Sequence, residues 1–238
     1  MVKKVKSDLK KLPRNALISM SNSSDPYTPM ESKLKLTRMC LKQFIGRDLR
    51  VLVITKSGLV VRDLDLLSKL RAAVTITITT LDENLAKKLE PNAPPPSKRL
   101  DALSKLSTRG IPTGARVDPI IPFLNDEFKE LLREIKSAGA KHVTASSFKP
   151  RWDSWIRMKR AFPDVCNKLE PLYFEEGDRI GRSYYLPRAL RFKLMKSVAD
   201  ECGKLGLTFA SCREGFPELN TSETCDGSHL IGLAEDGG

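Results

Sequence analysis

The sequence lacks every short cysteine pairing. Its five cysteines, Cys40, Cys166, Cys202, Cys212 and Cys225, include no Cys-x-x-Cys and no Cys-x-x-x-Cys-x-x-Cys. An odd count at such wide spacings argues against a disulfide framework and fits a reducing compartment. A long apolar run is lacking too. The nearest candidate, 72–81, has ten residues of which four are threonine, short of the ~18 that a membrane-spanning helix needs. No apolar stretch follows the six bases of the first fourteen residues. A secretory leader is therefore not expected, and the cytoplasm is the expected location. Acidic charge is in short supply: 29 aspartates and glutamates face 41 lysines and arginines, a net charge of +12.

What is present is a globular composition. A chain of 238 residues that is 40% apolar can bury a full core, as one large domain or two small ones. The basic charge is uneven. Six bases and one acid fall in 141–160, and six bases with no acid in 179–196, whereas the sequence after Arg213 has six acids and no lysine or arginine. Basic stripes suit a phosphate polymer, and equally a set of solvated helix faces. The nucleic-acid reading places Arg151, Arg157, Arg188 and Arg191 on DNA, with the acidic tail able to fold back over the same face. Trp152, Trp155, Tyr184 and Tyr185 lie among these bases, where they stack on nucleobases or pack in a core.

Strand and helix signals alternate. Strands are expected at 16–22, 50–55, 73–80, 113–117 and 141–147, with a last one at 207–211. Val51 to Ile54 form the continuous apolar run of a parallel strand covered on both sides. Helices are expected at 31–45 (Leu34, Leu41, Phe44 and Ile45 on one face), from 63 to 70, at 82–90, 97–108 and 125–138, followed by two basic helical stretches beyond Pro150. Alternation of this kind implies a parallel sheet. Polar stripes run along several strands: Ser19, Ser21 and Ser23; Thr75, Thr77 and Thr79; Arg116 and Asp118. A closed eight-stranded barrel fills its interior with branched apolar residues, so these stripes favour a partial barrel with a wet or ligand-filled interior.

The order of the short pieces carries a resemblance. Asn22-Ser23-Ser24-Asp25-Pro26-Tyr27, Ile54-Thr55-Lys56-Ser57, Arg62-Asp63, Ile78-Thr79-Thr80-Leu81-Asp82, Leu89-Glu90-Pro91, Lys98-Arg99-Leu100, Gly110-Ile111-Pro112-Thr113-Gly114 and Pro119-Ile120-Ile121-Pro122 follow one another across about 10–148. Together they resemble the radical S-adenosylmethionine enzymes, and within them the spore photoproduct lyase and DNA repair photolyase-like group. The resemblance implies an α/β fold: a partial parallel (β/α) barrel over 1–150, with a basic helical extension and acidic tail over 151–238. It implies S-adenosylmethionine as cofactor and a [4Fe–4S] cluster held by three cysteines of a loop after the first strand, whose electron cleaves the cofactor to a radical. That loop and that strand have no counterpart in the sequence. Its first strand matches the family's second, and Asn22 stands where a hydrogen-donating cysteine is implied, so thymine-dimer repair itself is not expected.

By the same resemblance, Ser24 and Asp25 touch the cofactor's amino group, Lys56 its carboxylate, and Thr79 (Thr77 next) a ribose hydroxyl. Arg116 and Asp118 are expected to pair as a bridge. The tail run Cys225-Asp226-Gly227-Ser228-His229 matches the letters of the CDGSH iron–sulfur motif. Cys212, Cys225 and His229, with Cys202 as a further donor, are the expected ligands of a zinc or iron–sulfur site. The leading expectation is a radical S-adenosylmethionine-type enzyme, or part of one, acting on nucleic acid or a related substrate. The alternatives are a non-catalytic nucleic-acid-binding barrel and a small metal-binding protein.

Overall fold

The computed structural model describes residues 2–20 and 24–232. Six parallel strands form one sheet: β1 (Ala16–Met20), β2 (Leu49–Thr55), β3 (Arg71–Thr77), β4 (Thr113–Ile120), β5 (His142–Ser147) and, last in space, β8 (Thr208–Ser211). Neighbours in space are neighbours in sequence until β8 joins β5. The expected strands are all present. Ser21, Asn22 and Ser23, on which part of the first polar stripe and the expected donor position fall, lie outside the described residues.

Side chains alternate across the sheet with the period of two that a pleated strand imposes. Val51, Val53, Val74, Ile76, Ala115, Val117, Val143 and Ala145 face one way, into the main apolar core. That core is closed by α3 (Leu36–Phe44), α6 (Pro96–Thr108), α7 (Lys129–Ser137) and α10 (Arg188–Lys204), which contribute Leu41, Leu103, Leu132 and Met195 among others. The other, concave face holds Leu52, Ala73, Thr75 and Thr144. There the tail turns inward: Leu230 and Ile231 pack on Leu52 and Ala73. Thr75 donates to the Asp226 carbonyl at 3.2 Å and Thr144 to the Cys225 carbonyl at 2.6 Å. The segment from 224 to 231 is thus an internal plug. Over these residues the tail does not fold back over the basic face; Glu235 and Asp236 lie outside the described residues.

The helices depart from the sequence reading in detail. The helix expected over 31–45 is broken: α2 (Glu31–Leu34) ends at Lys35, whose φ of 53° is left-handed, and Leu34 is 51% exposed instead of sharing a face with Leu41. After β2 the chain makes a 3₁₀ turn, Gly58–Asp63, started by the Ser57 side chain accepting from the Leu59 amide at 3.2 Å, before the short α4 (Leu64–Leu67). The remaining helices are α1 (Val2–Asp8), α5 (Glu83–Leu89), α8 (Trp152–Ala161) and α9 (Pro163–Phe174). α8 and α9 build a second apolar cluster around Trp155, Phe162, Cys166, Leu169 and Tyr173, with Ile121 from the loop after β4. Residue 150 is where α8 is about to start, but α10 and β8 return to the sheet. A two-stranded hairpin, β6 (Asp178–Ile180) with β7 (Ser183–Tyr185), separates α9 from α10. The free edge of β8 is satisfied locally: Thr221 donates its amide to the Phe209 carbonyl and accepts the Phe209 amide on its hydroxyl, both at 2.8 Å. No helix among the described residues is long and apolar enough to cross a membrane.

Candidate functional site

In a parallel sheet the loops after the strands converge at the carboxyl ends, where sites form. Several recesses run along that rim, and three of them adjoin one another. The first, about 1040 Å³, is lined by Asp25, Tyr27, Lys56, Ser57 and Glu90 among others. The second, about 510 Å³, shares Lys56, Leu89, Glu90 and Pro91 with it and adds Thr79, Phe148, Arg157 and Phe162. The third, about 270 Å³, shares Pro119 and Phe148 with the second and reaches Arg116, Lys149 and Cys212. Asp25, Lys56 and Thr79 therefore lie at one end of the sheet.

Asp25 is held by the protein. One carboxylate oxygen accepts from the Thr55 hydroxyl at 2.6 Å and the Tyr27 amide at 2.8 Å; the other accepts from the Lys56 amide at 2.7 Å. It ties the loop after β1 to the end of β2. Each carboxylate oxygen accepts about two bonds, so one acceptor position on the second oxygen is left for a ligand. Ser24, beside it, is exposed.

Behind Asp25 lies a charged network that the sequence reading did not identify. Tyr27, buried, donates to Asp63 at 3.1 Å. Fully buried Asp63 also takes Arg38 at 2.7 Å and Arg62 at 2.8 Å. Arg62 reaches Glu31 at 2.8 Å, and Glu31 accepts the Thr37 amide at 3.0 Å. Burial, then the Asp63 charge, push the Tyr27 phenol far above its ordinary range. Glu31 lies below its ordinary value: desolvation opposes ionisation, but Arg62 and the amides of Thr37 and Arg38 outweigh it. The signal in the sequence is the Arg62-Asp63 pair between an expected strand and helix, which by itself shows no partner.

Lys56 projects from the end of β2 between the two larger recesses, and its ammonium meets Glu90 at 3.2 Å. Glu90 is also bound by Arg99 at 2.5 Å. Arg99 is buried and donates to the Pro94 carbonyl at 2.7 Å and the Thr77 carbonyl at 3.1 Å, pinning the proline loop to the end of β3. Thr79 follows two residues beyond β3. Its carbonyl accepts from Asn125 at 2.8 Å, while its buried hydroxyl has no partner. Asn125 was expected inside a helix. Instead it braces this loop, donating also to the Pro119 carbonyl at 3.1 Å and accepting the Ile121 amide at 2.7 Å.

Arg116 and Asp118 pair as expected, at 2.7 Å, with Ser146 donating to the second Asp118 oxygen at 2.7 Å. Beyond them Glu214 is buried against Lys149 at 2.5 Å and Arg191 at 3.2 Å. Burial lowers the Lys149 pKa, and Glu214 opposes that shift. The expectation that Arg191 faces a nucleic acid is corrected: it is buried in this cluster and stacks on Tyr185 and Phe216. Trp155 and Tyr185 are likewise core residues, while Trp152 is 63% exposed.

The expected tail metal site is not assembled. Among the described residues no three His, Cys, Asp or Glu side chains gather as a set able to hold a metal ion. Cys225 lies near Cys212, and its thiol is raised by burial and by that neighbour. His229 points elsewhere, one ring nitrogen on the Thr224 hydroxyl at 2.9 Å and its ring edge-to-face with His142 at 4.7 Å. Cys202 lies buried in the main core, its thiol pushed up to about 12 by burial.

A model of the radical S-adenosylmethionine superfamily matches residues 1–152. An uncharacterised protein of Methanocaldococcus jannaschii is 42% identical over 127 residues, 51% of this chain and 49% of that protein. A radical S-adenosylmethionine Nα-GlyT isomerase of Pseudomonas phage M6 is 22% identical over 95% of this chain and 52% of its own length. Among solved structures, a spore photoproduct lyase complexed with dinucleoside spore photoproduct superposes with a TM-score of 0.61 at 17% identity, covering 89% of this chain and 67% of that one. The chain spans about half the length of the curated relatives it matches.

Proposed function

The chain belongs to the radical S-adenosylmethionine superfamily, and from that premise we propose that it is the cofactor-binding barrel of an enzyme acting on nucleic acid or a modified base within it. One observation carries the reading: Thr79, whose buried hydroxyl has no partner, lines a recess together with Lys56. A buried hydroxyl left unpaired costs free energy, and a ribose hydroxyl would satisfy it. Lys56, with one partner, has N–H groups left for a carboxylate. Asp25 has one acceptor position left for an ammonium.

S-adenosylmethionine fits these residues and, when bound, supplies hydrogen-abstracting radical chemistry on receiving an electron. The protein's part is positional. Asp25 fixes the loop after β1 to β2, Asn125 and Arg99 fix the loops that carry Thr79 and Glu90, and α8 covers the second recess with Arg157 and Met158, followed by Phe162. The [4Fe–4S] cluster of the family does not fit the cysteines present. Cys40 and Cys202 are buried in the main core and Cys166 in the second, which leaves only the Cys212–Cys225 pair near the rim.

The substrate class rests on the net charge of +12 and on the dinucleoside that the similar lyase holds. Isothermal titration with S-adenosylmethionine tests the cofactor reading. Wild-type protein is expected to bind one equivalent, and Lys56→Met and Thr79→Val each to weaken binding about tenfold, the value of one lost hydrogen bond to a charged or buried group. Equal affinity in all three proteins, or no binding by any, would reject the reading.

A further inference from the structure

The third recess lies at the carboxyl ends of β4, β5 and β8, on the far side of Phe148 and Pro119 from the cofactor residues. At about 270 Å³ it is smaller than the ~300–1,000 Å³ of a pocket for a whole small molecule. It suits one group of a substrate whose remainder occupies the adjoining recess. The charges that line it and the buried ones paired behind them mostly neutralise one another. Asp118 uses its two oxygens on Arg116 and Ser146. Glu214 uses one on Lys149 and Ser147 and the other on Arg191, and Asp178 reaches Arg191 at 3.5 Å. Against these three carboxylates stand Arg116, Lys149, Arg191 and Arg213, so one positive charge is uncompensated.

That charge is Arg213. It lines the recess and is exposed, and it makes no hydrogen bond or ion pair with any described residue. Its backbone is at φ 60°, a left-handed conformation that an arginine adopts at a cost. Strain of this kind persists where the surroundings impose it, and it recurs at ligand clamps. Arg116, which also lines the recess, gives one terminal nitrogen to Asp118, and no nitrogen of its guanidinium is a buried orphan. Two guanidinium groups thus flank a small cleft with N–H groups to spare, the arrangement that grips an oxyanion.

We propose that this recess is an anion subsite, in which Arg213 and Arg116 bind an oxyanionic group of the substrate, a phosphate or a carboxylate. The inference rests on the functional reading above for its link to a substrate. The subsite fixes the charged end while the reacting part reaches past Phe148 toward Thr79 and Lys56. Lys149, with all three donors engaged by Glu214, Ser147 and Cys212, holds the floor.

Titration calorimetry on the intact chain tests this with a nucleoside 5′-monophosphate, the uncharged nucleoside and N-acetylglycine, each against wild type, Arg213→Gly and Arg116→Gln. Arg213→Gly also relieves the backbone, so its thermal midpoint should hold or rise. The wild type should bind the monophosphate at least tenfold more tightly than the nucleoside, and Arg213→Gly should lose about tenfold. The same Arg213 dependence with N-acetylglycine, and not with the monophosphate, would identify a carboxylate as the group. No Arg213-dependent binding of either anion, or wild-type anion affinity in a folded Arg213→Gly, overturns the subsite. S-adenosylmethionine is titrated into the same samples. Cofactor binding without anion binding rejects the subsite alone, whereas Arg213-dependent anion binding without cofactor binding rejects the functional reading and keeps the subsite.

Discussion

His142 stands at the start of β5 with both ring nitrogens on hydroxyls, Thr208 at 3.0 Å and Thr144 at 3.2 Å, and the His229 ring against it. Burial first, then the neighbouring imidazole, push its pKa down to about 4 from 6.5. The unfolded chain takes up this proton near pH 6.5, the folded one only near 4. The stability contributed is therefore complete above pH 6.5 and is lost as pH falls through that window. At ~1.4 kcal/mol per unit the full loss is about 3 kcal/mol. Urea unfolding at pH 7 and pH 4.5 should show the wild type losing most of this, and His142→Gln losing measurably less; equal losses would refute the assignment. Thr79 gives the opposite kind of test. Its hydroxyl has no partner, so Thr79→Val removes no hydrogen bond, and the variant should be as stable as wild type or up to about 1 kcal/mol more stable. A large drop in thermal midpoint would mean that the hydroxyl is satisfied within the protein.

At the scale of elements, the internal plug depends on Gly227. Its φ is 88°, and a Cβ there would sit 2.9 Å from the Thr75 hydroxyl. Gly46 is also left-handed, at φ 75°, but has open space around it. Both glycine-to-alanine changes incur the backbone cost of about 1 kcal/mol. Only Gly227→Ala adds the clash, so it should destabilise by a further ~1–2 kcal/mol, a difference read directly from paired denaturation curves. Elements of this kind mark where sequence reading succeeds and fails. The strands were legible because Val51 to Ile54 and Val74 to Ile78 carry their burial in their own letters. The Arg116–Asp118 bridge was legible because two residues apart on a strand share a face. The break at Lys35 was not legible, since nothing in Glu-Ser-Lys-Leu-Lys-Leu forbids a continuous helix. Nor was the placement of Cys225 and His229: the CDGSH letters describe a motif, but the fold uses Gly227 and the carbonyls of Cys225 and Asp226 to fill the barrel. Asn125 and Arg99 act through backbone carbonyls far away in sequence, and pairings of that range leave no local pattern.

For the whole molecule, the net charge of +12 should govern any association with nucleic acid. Many bases are already paired, among them Arg157 with Asp153, Lys159 with Glu170 and Lys196 with Asp200. Exposed Arg151, Arg182 and Arg188 have no ion pair with any described residue and are the better candidates for binding phosphate. Fluorescence anisotropy with duplex DNA should show affinity falling steeply with salt. Replacing these three by alanine should flatten the slope, because a protein that neutralises fewer phosphates displaces fewer counterions. Unchanged slopes would assign the charge to ordinary solvated surface. The strand order also matters for synthesis. From β2 to β5 each strand pairs with the strand translated just before it, so a ribosome releases these strands in the order in which they zip together. The turn that covers Thr75 is translated 151 residues after it. At ~5–20 residues per second, the inner face of β2 and β3 waits on the order of ten seconds without its cover, and that interval is when a chaperone has the most to hold.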